Sequence, residues 1–252
     1  MPHSILVPYH HSEAIPALST AFTTDDAVII SKGPAGAMVE RLYDTLAKRV
    51  AERSDRIAVI SGDCTTALGT IAGLQRRGAA PGVIWLDAHA DFHTAHTTRS
   101  GNLSGMTMAM ITGRAGSALR EALGMRAVDE ATCIIAGARD IDEGERDNLA
   151  ASRVRVMSLD ELDATDALPT GPLYVHVATC LPETDALPPV RVTAPGGPSL
   201  ERVITTLQRL AARGTIAALG IGVISDKKAL QAHGSLDALR PLIDAALGIS
   251  PA

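Results

Sequence analysis

Aromatic side chains are nearly absent from this chain. One Trp, three Tyr and two Phe supply 2% of its 252 residues, while apolar residues reach 46%. Any core must therefore be built from Ala, Val, Ile and Leu. Cysteine is also scarce: Cys64, Cys133 and Cys180 are odd in number and widely spaced. That pattern excludes a disulfide framework and points to free thiols in a reducing cytoplasm. No basic cluster interrupts a formal net charge of −5, which argues against nucleic acid or an anionic membrane as partner. No apolar run is longer than a strand, so none spans a bilayer. The start, "MPHSILVPYHHSE", lacks the apolar stretch of a signal peptide. There is no internal repeat and no low-complexity linker.

What the chain does contain is alternation. Short β-branched runs occur at "SILV" near residue 5, "AVII" (27–30), "IAVI" (57–60), "GVIWL" (82–86), "TCIIAG" (132–137), "VRVMS" (154–158), "LYVHV" (173–177) and "TIAALGIG" (215–222). They are continuous rather than alternating in hydrophobicity, as in strands covered on both faces. Between them lie segments of helical spacing such as "AMVERLYDTLAKRVAERS" and "SLERVITTLQRLAARG", with Ser, Thr, Asp or Glu near their starts. A doubly wound, parallel sheet of about eight strands is expected, in one α/β domain spanning residues 1–252. Its site should open beyond the carboxyl ends of the strands. The Pro-rich segment 181–199 reads as a long loop on that side.

The chemistry-bearing residues cluster at strand ends. Asp87, His89 and Asp91 directly follow "GVIWL". Residues two apart in extended chain share a face, so the three converge, and carboxylates with imidazole suit Mn, Zn or Fe. Cys64 stands where the turn "SGDC" meets a helical segment. A helix N-terminus carries partial positive charge and free N–H groups, which favour a thiolate and can hold an oxyanion. Cys180 follows another strand. Cys133 lies within a strand and belongs to the core. His233 follows the last strand and is a loop imidazole on the same side. His10 and His11 are weaker candidates.

The blocks "SGDC", "WLDAHADFHTAHTTRSGNLSGM", "AGARDID" and "LYVHVATCLPETD" together resemble the arginase/agmatinase (ureohydrolase) superfamily over most of the chain. The resemblance implies a three-layer α/β/α fold with a mostly parallel sheet and a two-manganese site. Several positions depart from the family pattern. The first ligand, a His in the family, is Cys64 here. The last carboxylate pair reads Ala178 and Cys180, which removes one bridging ligand. The His after "SGNL" is Ser104, and the acid near the last strand is replaced within "LGIGVIS". These departures point away from hydrolysis of arginine or agmatine.

Three readings follow. In the first, the chain is similar to the Cys-dependent Dieckmann cyclases of tetramate and pyridone biosynthesis, which use a Cys–Asp–His triad. Cys64 is then the nucleophile, Asp91 the orienting acid and His233 the base, with His89 its competitor. Asp87, His89, Asn102 and Ser104 line the substrate site. No metal or other cofactor is needed, and the substrate arrives as a thioester on an acyl or peptidyl carrier protein. In the second, a mononuclear zinc hydrolase survives on Cys64, His89, Asp91 and Cys180, with Zn or Mn as cofactor. In the third, a pseudoenzyme keeps the fold for binding. A homo-oligomer would accord with the family's habit.

Overall fold

The computed structural model describes residues 3–24 and 26–249. Its strands are β1 Ser4–Val7, β2 Tyr9–His10, β3 Glu13–Ala14, β4 Ile57–Ser61, β5 Gly82–Leu86, β6 Cys133–Ala136, β7 Arg155–Met157, β8 Pro172–Ala178 and β9 Thr215–Gly222. The α-helices are α1 Pro16–Ala21, α2 Ala35–Ala51, α3 Ala67–Arg76, α4 Thr107–Thr112 and α5 Ser117–Ala122, followed by α6 Glu143–Ala150, α7 Leu159–Ala164, α8 Leu200–Arg213, α9 Lys227–His233 and α10 Arg240–Leu247. Among the described residues no helix is long and apolar enough to cross a membrane.

Seven strands form one parallel sheet in the order β1-β4-β9-β8-β5-β6-β7, and β2 with β3 makes a small antiparallel hairpin at its rim. Alternate strand residues divide the core in two. Ile5, Val7, Val59, Val83, Trp85 and Ile135 pack with α2, α3 and α4. Leu6, Ala58, Ile60, Ile84, Leu86 and Ile134 pack with α1, α7, α8 and α10 on the other face. This is the expected three-layer α/β/α arrangement, and it explains why the strands read as unbroken apolar runs.

The eighth strand is a correction. Segment 27–30 does not join the sheet beyond a single bridge between Leu6 and Ala27. Leu6 N–H donates to Asp26 O and Val28 N–H to Leu6 O, and there pairing stops. Val28 is buried but Ile29 is 65% exposed. The segment meets the short edge strand β1 and then runs into "SKGPAG", where Gly and Pro end any ladder.

Close approach of α3 to α2 depends on glycine. A Cβ at Gly73 would fall 2.5 Å from Val50 Cβ and 2.6 Å from Ala47 O. The sheet order then places the site. β4 and β5 follow one another in sequence, yet β9 and β8 lie between them. Chain crossing over α3 therefore leaves a crevice at the carboxyl ends of these four central strands.

Candidate metal centre

Three of these strands, β4, β5 and β8, deliver functional groups to that crevice. β4 ends at Ser61, and Asp63 caps the following turn by accepting Thr65 N–H at 2.7 Å and His11 N–H at 2.5 Å. Cys64 thus does start a helix, through one 3-10 turn (64–66) before α3. Its thiol is not activated there. Burial pushes the Cys64 thiol well above the ordinary range, and the nearby charges of Asp91, Asp87, Cys180 and Asp63 push the same way. Burial first, and the surrounding carboxylates second, thus raise the thiol where a helix start by itself would lower it.

From β5 come Asp87, His89 and Asp91, which line one pocket together with Cys64, Cys180, Asn102 and Ser104. Asp91 takes a left-handed backbone (φ 50°), a conformation that costs a non-glycine residue about 1–3 kcal/mol. Its carbonyl accepts Met108 N–H at 2.9 Å and Ala109 N–H at 3.3 Å, which anchors the start of α4. The strain is held by these contacts, and the carboxyl is turned inward, 6% exposed.

β8 supplies Cys180. Its thiol donates to Asp87 Oδ1 at 3.1 Å and lies 3.6 Å from His89 Nδ1, while His89 Nδ1 is 3.3 Å from Asp87 Oδ1. These three donor atoms form a near-equilateral triangle. Donor pairs on a tetrahedral zinc, with bonds of about 2.0–2.3 Å, are separated by about 3.3–3.8 Å, so the triangle has the size of one tetrahedral face. Burial pushes Asp87 upward, but hydrogen bonds and charge from His89 outweigh it and hold the carboxyl below its usual value. Burial favours neutral His89, yet Asp87 outweighs that and raises the imidazole.

Asp91 is different. Burial raises its carboxyl well above the ordinary range, and the charges of Asp87 and Glu145 add to the effect. Asp91 Oδ2, His89 Nε2 and His176 Nε2 are buried without a hydrogen-bond partner. Each of these three atoms is of a type that can ligate a cation.

Sequence reasoning missed four residues here. His176, inside β8, stacks on Trp85 with ring centroids 3.8 Å apart and is 1% exposed. It was hidden in "LYVHV", where period and composition mark only a core strand. His93, Asp142 and Glu145 form a further donor group on the pocket wall. His93 Nε2 lies 3.2 Å from Asp142 Oδ2 and 3.8 Å from Glu145 Oε2, and Glu145 Oε1 accepts Phe92 N–H at 2.9 Å. "DFHT" and "DEGE" stand some fifty positions apart, so only the fold joins them.

His233 does not line this pocket. It borders the adjacent cleft of about 490 Å³ under segment 182–195, and its Nδ1 faces Ser235 O at 2.7 Å. The imidazole brought beside Cys64 is His176. Nor do Cys64, His89, Asp91 and Cys180 gather as one donor set. The structure instead groups Asp87, His89 and Cys180, and separately Cys64, Asp87 and His176. Cys133 is core as expected, its thiol pushed up to about 12 by burial.

Carboxylate, imidazole and thiol groups of the kinds that ligate metal ions thus gather beyond the central strands of a parallel α/β sheet. The arginase family model matches residues 7–223, and the chain belongs to that family. The arginase of Bacillus subtilis (strain 168) is 35% identical over 125 residues, 49% of this chain and 42% of that protein. The arginase of Agrobacterium fabrum is 29% identical over 195 residues, 71% of this chain and 60% of that protein. The matches thus span less than two thirds of these relatives' lengths. A solved arginase from Bacillus caldovelox superposes with a TM-score of 0.81 at 20% identity, over 99% of each chain. Another, from Bacillus subtilis, gives 0.79 at 22%, also over 99% of each. At such identities the likeness concerns the fold. Family membership and the donor groups together correct the expectation that no cofactor is needed.

Proposed function

We propose that this protein is a zinc-dependent amidino- or amidohydrolase of the ureohydrolase type. The observation that carries the reading is the triangle of Cys180 Sγ, His89 Nδ1 and Asp87 Oδ1, with sides of 3.1, 3.3 and 3.6 Å. These residues would hold the ion, and its thiolate and imidazole ligands favour zinc over manganese. When bound, such an ion supplies Lewis acidity for attack on an amidine or amide carbon.

The chain's own residues supply the rest. The pocket, of about 260 Å³, fits a small substrate. Asp140, Asp142 and Glu145 line it, and no Lys or Arg does. That balance selects a cationic compound, as an amidino or guanidino group is, and Asp140 and Asp142 near the mouth orient it. Burial raises the Glu145 carboxyl above its usual value, with Asp142 adding to the effect, so it is a proton donor at higher pH than an ordinary Glu. His93 stands beside it and relays a proton to the departing nitrogen. Ser100, Asn102 and Ser104 add neutral hydrogen-bonding groups to the lining.

The Dieckmann reading has less behind it. Its nucleophile Cys64 is 2% exposed with a raised thiol, its base His233 borders another cleft, and carrier-protein docking has no basic patch to use. The test is to strip the full chain of metal, reload it with Zn(II), and assay ammonia or urea release from a panel of guanidino and amidino compounds. Activity that needs zinc and is lost in Cys180→Ser and His89→Ala is expected. Failure of the wild-type chain to retain zinc would end this reading.

A further inference from the structure

The hairpin β2–β3 carries two histidines that the proposed chemistry does not use. His10 and His11 stack with ring centroids 4.3 Å apart. His11 turns the chain with a left-handed backbone (φ 51°), and its N–H donates to the buried Asp63. His10 lies at the rim, its side chain 22% exposed, between the turn after β4 and the Pro-rich loop. Its Nδ1 is 3.3 Å from Gly62 O, and its Nε2 is 3.4 Å from Arg191 Nη1.

Those two neighbours fix the state of the ring. A carbonyl only accepts, so Nδ1 carries a hydrogen; a guanidinium only donates, so Nε2 offers its lone pair. The neutral imidazole alone satisfies both. Protonation would set an Nε2–H against the guanidinium N–H groups and bring two positive charges together. The other charged groups around the ring do not reverse this. Asp63 Oδ2 is 3.9 Å from His10 Nδ1, but Asp63 already accepts Thr65 N–H, the Thr65 hydroxyl and His11 N–H. Glu13, opposite His10 in the hairpin, is paired with Lys227 of α9. Burial holds the His10 imidazole below its ordinary value, and His11 and Arg191 push the same way against Asp63.

Arg191 belongs to a strap along one side of the pocket. Its N–H donates to Ile224 O at 2.9 Å and its Nε to Ser225 O at 3.2 Å, while Val190 bridges to Ser225. Val192, 48% exposed, and Ile224 both line the pocket. The strap is fixed at both ends. Ser225 Oγ donates to Pro189 O at 2.6 Å, and Arg139 Nε donates to Ala194 O at 2.8 Å. Residues 191–193 are the part left to move. We propose that His10 is a pH-sensitive latch: neutral, it clamps Arg191 and keeps Val192 against the pocket; protonated, it repels Arg191 and lets residues 191–193 lift. The latch governs access to the pocket and is independent of the zinc reading, since His10 does not line the pocket itself.

The test is amide hydrogen exchange of the full chain at about pH 7.5 and about pH 5.5, on either side of an ordinary imidazole. Mass spectrometry with fragmentation isolates the Arg191 amide, and rates are corrected for the intrinsic pH dependence of exchange. Exchange at Arg191 is expected to quicken about three- to fivefold at the lower pH, the scale of one exposed charge contact. His10→Gln keeps an acceptor for Arg191 and does not titrate, so its protection should be equal at both pH values. Arg191→Leu should exchange fast at both, and His11→Gln should keep the wild-type response. Wild-type exchange that ignores pH, or a pH response retained in folded His10→Gln, overturns the latch. Should His10→Gln misfold, Arg191→Leu decides, because a pH response surviving there has the same meaning. All samples are run with and without chelator; a response that vanishes with chelator belongs to a bound ion and also overturns the latch.

Discussion

Arg139 is the residue through which the Pro-rich loop is tied to the Cys180 segment of the candidate site. Its Nε donates to Ala194 O at 2.8 Å and Pro195 O at 3.1 Å. One terminal nitrogen reaches Cys180 O at 3.3 Å, Leu181 O at 3.1 Å and Ala194 O at 2.5 Å, and the other reaches Gly137 O at 3.3 Å. Five carbonyls from β6, the end of β8 and the Pro-rich loop thus share one guanidinium. Gly197 belongs to the same contact, since a Cβ there would press on Leu181 O and stand 2.7 Å from the guanidinium. Arg139→Met keeps the apolar stem and removes the donors. Each charge-assisted hydrogen bond contributes roughly 1.5–3 kcal/mol, but water replaces part of this at a half-exposed rim, so the net loss is set at about 3 kcal/mol. Arg139→Lys should lose about half as much, because one ammonium cannot span five acceptors. Urea unfolding of the metal-free chain measures this directly. The same change frees the Cys180 carbonyl and loosens its thiol, so zinc affinity should fall on the order of tenfold, the effect of removing outer support. A loss under about 0.5 kcal/mol with unchanged zinc affinity would refute the reasoning, and would mean that the loop holds itself.

Three further outcomes are expected. Burial holds His176 at about 4 instead of 6.5, so the unfolded chain takes up its proton first as pH falls. Stability of the metal-free protein from this group is complete above pH 6.5 and drains away toward pH 4, by about 3 kcal/mol; the difference between wild type and His176→Gln in urea midpoints across that window should show this slope, and parallel curves would contradict it. Gly73→Ala gains about 1 kcal/mol of helix propensity but forces a methyl onto Val50 and Ala47 O, so a net destabilisation of about 1–2 kcal/mol is expected, and a more stable variant would show that α2 and α3 separate easily. Glu145→Gln keeps an acceptor for Phe92 N–H but no longer carries the proton, so kcat should drop about a hundredfold with zinc content unchanged; an undiminished kcat would remove Glu145 from the chemistry.

Local pattern in the sequence determined the architecture and one wall of the site. Unbroken apolar runs spaced by amphipathic segments leave few alternatives to a parallel sheet covered on both faces, and seven of the eight anticipated strands lie in it. Asp87, His89 and Asp91 were legible because they stand together at the end of one strand, and Cys64 and Cys180 because scarce thiols draw notice. Segment 27–30 misled because β propensity does not say whether a partner strand will be within reach; its single bridge to Leu6 is all that the sheet edge offers. The tertiary structure alone decided which potential donors lie together. Sheet order places β8 and β9 between β4 and β5, so His176 meets Cys64 across strands, 112 residues apart in number, while His233 is carried to another cleft. It also decided the state of Cys64. A thiol at a helix start reads as activated from sequence, but burial and three surrounding carboxylates reverse that. Desolvation and through-space charge depend on which groups the fold brings together, and no spacing along the chain encodes that distance.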